Sequence, residues 1–283
     1  MTPPRGRRPS GPSGPPPRRR PAAAGPPRRS QPRDPRGLGG EQVEGRRAVR
    51  ELLVAGRRRV RELYVAEGLD PSPVLGEILD LAARARVPVR RVGRGRLDGM
   101  AATDAPQGVV ARAAPLEEAD LDDLASPADG RPPFLLVLDG VTDPHNLGAL
   151  LRTAECAGAT GVVLPRHRAV HVTPTVAKAA AGAIEHLPIA VVPGLPAAMT
   201  TLRRAGVWTV GLDAGADRSV FDLPLGPEPV ALVLGAEGGG LSRLVRQRCE
   251  VVVCIPQRGA LASLNVSAAG AVACFELARR RNS

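Results

Sequence analysis

From residue 134 onward the chain alternates short apolar runs with helix-length stretches. FLLVLDG, GVVLP, LPIAVV, VWTVGLD, PVALVLG and EVVVCIP read as strands. Most are near-continuously apolar, as in strands buried on both faces, and the stretches between them are long enough for crossover helices. That pattern predicts an α/β fold with a mainly parallel sheet and helices on both faces. The expected helices are LGALLRTAECAGA, TPTVAKAAAGAIE, LPAAMTTLRRAG, LSRLVRQRC and a long terminal one from about Ser263 to Arg281.

A smaller α/β domain is expected over residues 41–114. VEGRRAVRELLVAG places Val43, Val49, Leu52 and Leu53 on one helical face and ends at Gly56. RELYVA, VPVRRV and QGVVARAA read as strands, and PSPVLGEILDLAARARV as a helix. Residues 115–131 are acidic and Pro-containing, a linker by composition, and the main domain spans 132–283. Residues 1–40 hold ten arginines, twelve prolines and one acid, Asp34, so most of the net charge of +11 sits there. Such a segment buries too little apolar surface to fold alone and is expected to be a disordered tail. Its charge favours polyanions: RNA, DNA or an anionic surface. Four cysteines without a C-x-x-C pair fit a reducing compartment. No apolar run approaches the ~20 residues of a membrane span. No secretory h-region is visible, and the prolines oppose an amphipathic transit helix. A cytoplasmic location, away from membranes, is the expectation.

In parallel α/β sheets, ligands sit beyond the carboxyl ends of the strands. Three loops there carry unusual residues. In DGVTDPHNLGALLRTAE, Asp143-Pro144 suits a turn and Asn146 an N-cap, with Leu147 onward helical. Arg152, six residues on, can lean towards the same helix end; taken singly, this is a capped helix with a surface arginine. LGAEGGGLSRL looks like a phosphate loop, yet Leu241-Ser242 stands where a P-loop needs its lysine. Gly235, Gly238, Gly239 and Gly240 miss the G-x-G-x-x-G spacing, and Glu237 would repel a phosphate. The glycines instead suit close approach of a ligand or another backbone, or simply a tight turn. In CIPQRGALASLNVSAAGAVACFELARRR, Ser263-Leu264-Asn265-Val266-Ser267 is first of all capping chemistry. The run SAAGAVAC implies tight helix packing. HRAVH (His167, His171) lacks the glutamate of H-E-x-x-H, so no metal is expected. G-x-S-x-G is absent, against an α/β-hydrolase. Cys249 and Cys254 read as core or near-core thiols.

Taken together, in order and separation, DPHNLGALLRTAECAG, LGAEGGGLSRL and IPQRGALASLNVSAAGAVACFE resemble the three motifs of the SpoU (TrmH-like) branch of the knotted SPOUT methyltransferases. AKAAAGAIEHLP is similar as well, and the resemblance covers roughly 132–283. The N-terminal half more weakly resembles the substrate-binding domain of 23S rRNA 2′-O-methyltransferases. The resemblance implies a deep trefoil knot, one of the rare exceptions to unknotted chains. It implies S-adenosylmethionine held largely by main chain, with Leu234, Gly235, Ile255 and Leu264 at cofactor-contacting positions. Asn146, Arg152, Glu237 and Asn265 match the catalytic group, with Ser263 and Ser267 in support. The implied reaction methylates a ribose 2′-hydroxyl in RNA, with a guanosine of 23S rRNA as the leading target, in a homodimer paired through the knotted region. A guanidinium gives up its proton too reluctantly to serve as a free-standing base, so Arg152 is expected to clamp phosphate and stabilise alkoxide charge. Alternatives are a tRNA 2′-O-methyltransferase or an antibiotic-resistance rRNA methyltransferase of the same branch. A non-catalytic RNA-binding ribosome-assembly factor would be marked by loss of a motif residue, and all four are present.

Overall fold

The computed structural model describes residues 37–127, 130–167, 172–260 and 263–282. Most of the basic tail expected over 1–40 lies outside the described residues, as does His171.

The first sheet comprises β1 (Gln42–Glu44), β2 (Val60–Ala66), β3 (Val89–Val92) and β4 (Val109–Ala113), in the order β1-β4-β2-β3. Helices α1 (Arg46–Ala55), α2 (Pro73–Arg84) and α3 (Arg94–Met100) accompany it. Leu63, Val65, Val109 and Ala111 pack with Leu52 of α1 and Ile78 of α2, while Ala66, Val92 and Val110 pack with Leu97 of α3. Val43 belongs to β1, not to the α1 face expected from the sequence. Gly45, at φ 91°, turns the chain between the two, and α1 buries Ala48, Val49, Leu52 and Leu53. The expected linker is partly ordered by pairing. It carries the short α4 (Leu121–Leu124), and Ala119 N–H donates to the Ile189 carbonyl at 2.8 Å.

The second sheet holds β5 (Phe134–Asp139), β6 (Gly161–Pro165), β7 (Ile189–Val192), β8 (Trp208–Leu212), β9 (Arg218–Ser219), β10 (Val230–Gly235) and β11 (Val251–Cys254). Its helices are α5 (Pro144–Cys156), α6 (Pro174–Ala179), α7 (Leu195–Arg204), α8 (Arg243–Arg248) and α9 (Val266–Arg281). The order is β7-β6-β5-β10-β8-β11-β9, and each adjacent pair is parallel. Side chains alternate between two cores. Leu136, Leu138, Leu232 and Leu234 join the residues of α5, α6 and α9; Leu135, Val137, Ala231 and Val233 join those of α7 and α8. Each fully buried Leu or Val contributes roughly 1.5–3 kcal/mol. The period of two, run through apolar residues on both sides, is why these strands read as continuous.

Three helices of this sheet differ from the sequence expectation, and α5 is the first, beginning at Pro144 and not at Leu147. The terminal helix begins at Val266 rather than Ser263, because Asn265 caps it. TPTVAKAAAGAIE is not one helix: α6 stops at Ala179, and Ala181 (φ 51°) and Gly182 (φ 91°) turn the chain into a single 3-10 turn at Ala183–Glu185. The cause is tertiary. A Cβ on Gly182 would lie 2.4 Å from that of Glu51, so α1 occupies the space a helix would need. The turn delivers Glu185 to Arg58 in a bidentate pair, Nη2–Oε1 2.6 Å and Nε–Oε2 2.9 Å, with side chains 1% and 5% exposed respectively. Arg58 Nη1 also donates to the carbonyls of Gly40 and Ala114, at 2.6 Å each.

Removing one member of such a pair strands a buried charge. Glu185→Ala is expected to lower unfolding free energy by about 3–5 kcal/mol in urea titration; a loss under about 1 kcal/mol would show that the pair behaves as a surface one.

Candidate active site

β10, β8 and β11 lie side by side, and their carboxyl ends open onto a cleft of about 580 Å³, with β5 on the other side of β10. The glycine-rich segment forms one wall. Ala236 and Gly240 exchange backbone hydrogen bonds at 3.0 and 2.9 Å, closing a tight loop with Gly238 at φ 73° and Gly240 at φ 63°. This loop doubles back over Gly235. A Cβ there would sit 2.1 Å from the Gly240 carbonyl carbon and 2.4 Å from Leu241 N. Gly235 therefore serves backbone-on-backbone packing. Gly238 and Gly239 face open space.

Asn146 does not cap α5, contrary to expectation. Asp143 does, its Oδ1 accepting the Asn146 N–H at 2.7 Å, and Pro144 takes the first helical position, where no N–H is needed. The Asn146 side chain is thereby free for other work. Its Nδ2 donates to Glu237 Oε2 at 2.9 Å, and its Oδ1 accepts from Asn265 Nδ2 at 3.0 Å. Asn265 Nδ2 also reaches Glu237 Oε1 at 3.3 Å. As the cap of α9, Asn265 accepts at Oδ1 from the Ser267 N–H (2.9 Å) and hydroxyl (2.6 Å), which turns its amide nitrogen towards the other two. Residues 91 and 119 positions from Asn146 thus meet it in one hydrogen-bonded cluster. Arg152 does not join it. It is exposed on α5 and has no hydrogen bond or ion pair among the described residues.

Leu234, Gly235, Ile255 and Leu264 all line the cleft, with Ser263, Glu237 and Asn265. Leu264 is 42% exposed, an apolar side chain available to a ligand. Asp213 lines it too, and the sequence reading missed it. The only signal was an acid directly after a buried strand, without a glycine or asparagine cluster to mark the loop. Asp213 accepts the Gly215 N–H at 2.9 Å and pairs with Arg246 at 3.2 Å. The volume suits a cofactor-sized ligand. Apolar walls suit an adenine, and the Glu237 and Asp213 carboxylates suit a sulfonium or ammonium, so the lining fits S-adenosylmethionine. Among the described residues no His/Cys/Asp/Glu group is placed to hold a metal, and no helix is long and apolar enough to cross a membrane. Cys249 and Cys254 are half-buried, and burial pushes the Cys249 thiol up to about 12, which keeps it protonated and unreactive at neutral pH.

A glycine-walled cleft at the carboxyl ends of parallel strands, with a carboxylate–amide cluster at its edge, defines an α/β protein built to hold a small cofactor. Residues 133–275 match the SpoU rRNA Methylase family, and residues 42–119 match the family described as RNA 2′-O ribose methyltransferase substrate binding. The chain belongs to the SpoU rRNA methylase family. It is 44% identical to the putative TrmH family tRNA/rRNA methyltransferase YacO of Bacillus subtilis, over 73% of this chain and 83% of that one. It is 41% identical to the 23S rRNA (guanosine-2′-O-)-methyltransferase RlmB of Pseudomonas putida, over 85% and 97%. The crystal structure of the SpoU methyltransferase AviRb from Streptomyces viridochromogenes in complex with AdoMet superposes with a TM-score of 0.70 at 29% identity, covering 86% of this chain and 90% of that one.

Gly235→Ala places a methyl group inside the Gly240 backbone. Calorimetry should show S-adenosylmethionine affinity reduced by more than about tenfold; unchanged affinity would mean the loop is not held against β10.

Proposed function

We propose that this chain is an S-adenosylmethionine-dependent RNA 2′-O-methyltransferase that modifies a guanosine ribose of 23S rRNA. Membership of the family supports the reaction. Near full-length similarity to the Pseudomonas relative, first sheet included, supports the substrate. The observation that carries the reading is the Asn146–Glu237–Asn265 cluster at the edge of a cleft that fits the cofactor. When bound, the cofactor supplies an electrophilic methyl group on a sulfonium.

The protein's own part is positional and electrostatic. Glu237, oriented by two amides, presents carboxylate oxygens to ribose hydroxyls and to positive charge in the cleft. Asn146 and Asn265 hold it there and offer fixed dipoles beside it. With no partner among the described residues, the Arg152 guanidinium is available to clamp the phosphate next to the target ribose and stabilise the developing alkoxide. The first sheet and the arginine-rich segment ahead of it attract the RNA.

The same reading includes a trefoil knot around the cleft, a cytoplasmic location and a homodimer. α9 turns its small residues inward: a Cβ on Gly270 would lie 2.3 Å from Leu150, and Ala273 and Cys274 are buried. Val272 and Phe275 face outward, three positions apart and exposed, and offer an apolar stripe for a second copy. Phe275→Glu should convert a dimer to a monomer in light scattering; a persistent dimer would place the interface elsewhere.

Single-turnover methylation of 23S rRNA fragments and tRNA tests the activity. Arg152→Ala should lose at least about 100-fold, and Arg152→Lys should fail too, because a point charge cannot replace a planar fork. Near-wild-type rates for Arg152→Ala would remove its role. Methylation of tRNA alone would overturn the substrate, and a wild-type chain that binds no cofactor would overturn the reaction.

A further inference from the structure

The geometry points to Asp139 as a positioning residue that locks the glycine-rich loop in its working shape; the inference rests on the function proposed above. Asp139 is the last residue of β5, pairs in register with Gly235, and is not part of the cleft lining. Its Oδ2 accepts the backbone N–H of Ser242 at 2.7 Å, across 103 positions of sequence. A bond this short to a carboxylate is charge-assisted. Ser242 is the N-cap of α8, and its own N–H is a donor that a capping box would satisfy from the third helical residue. That residue is Val245, whose side chain cannot accept, so Asp139 supplies the acceptor from another strand.

The consequence reaches Glu237. The loop is closed within itself by the Ala236–Gly240 pair, its entry is fixed by the β10 ladder, and its exit is fixed by Asp139. Four residues further on, Asp143 fixes the first turn of α5 and with it Asn146. A five-residue bracket with an aspartate at each end, turning at Gly140 (φ 76°), therefore sets the glutamate and the asparagine in register with each other. Asp139 acts on the reaction only through the loop.

The test uses the full chain. Asp139→Ala should lower kcat and cofactor affinity by about 10- to 100-fold each and leave KM for the rRNA fragment unchanged. Asp139→Asn keeps an acceptor oxygen in place and should stay within about threefold of wild type. Amide exchange gives a second readout: Ser242 N–H should be protected in the wild type and in Asp139→Asn. The inference is overturned by wild-type kcat and affinity in Asp139→Ala, by Asp139→Asn failing as badly as Ala, or by fast Ser242 exchange in the folded wild type. Should Asp139→Ala not fold, the Asn variant and the exchange measurement decide the matter. A wild-type chain without methyl transfer would sink the proposed function and still leave the Asp139–Ser242 bond open to the exchange test.

Discussion

The backbone of Gly240 and Leu241 occupies the space where residue 235 would otherwise carry a side chain. Much of the site follows from that contact. β10 runs between β5 and β8, and only an unsubstituted residue at its end lets the chain fold straight back over the sheet. The fold-back brings the exposed Glu237 within hydrogen-bonding reach of Asn146, in the first turn of α5. A larger residue would push the loop outward by about a methyl radius, and hydrogen bonds of 2.9 and 3.3 Å to two asparagines would not survive it.

Packing and chemistry are joined again at α9. Gly270 lets the helix settle against Leu150 of α5 and Leu234 of β10 together, so the helix that carries Asn265 rests on the two elements that carry Asn146 and the glycine-rich loop. The rigidity is shared: the strand ladder sets the loop, the core sets the helix, and the asparagine amides join them. The buried Arg58–Glu185 pair ties the segment between α1 and β2 to the turn after α6, and so fixes the first sheet against the second. Retaining a buried ion pair where apolar residues would pack as stably fits a need for orientation more than for stability.

The parallel, two-faced sheet was legible because strands covered on both sides are apolar at successive positions, as in Phe134–Leu138 and Val230–Leu234. Of the cleft, Leu234, Gly235, Ile255 and Leu264 were expected only through the family resemblance of the three loops together, since a glycine run or a Ser/Asn cluster taken singly reads as well as a tight turn or a cap. What escaped was decided by contacts distant in sequence. Val43 fits a helical periodicity, yet Gly45 ends a strand that only the presence of β4 makes worthwhile. The break at Ala181 comes from α1 packing against Gly182. Asp143 and Asn146 are both good caps by type. Pro144 settles the choice, since it belongs at the first helical position, and so the cap is Asp143. Asp213 carries no local signature, because its place on the cleft depends on β8 lying next to β10.

The central claim is that Asn146 and Asn265, contributed by helices far apart in the chain, act as one unit around Glu237. A double-mutant cycle on single-turnover methylation, with Asn146→Ala, Asn265→Ala and the pair, measures this directly. The account predicts that the second substitution adds little to the first, a coupling of more than about 1 kcal/mol. Losses that simply multiply would show two independent residues and contradict it.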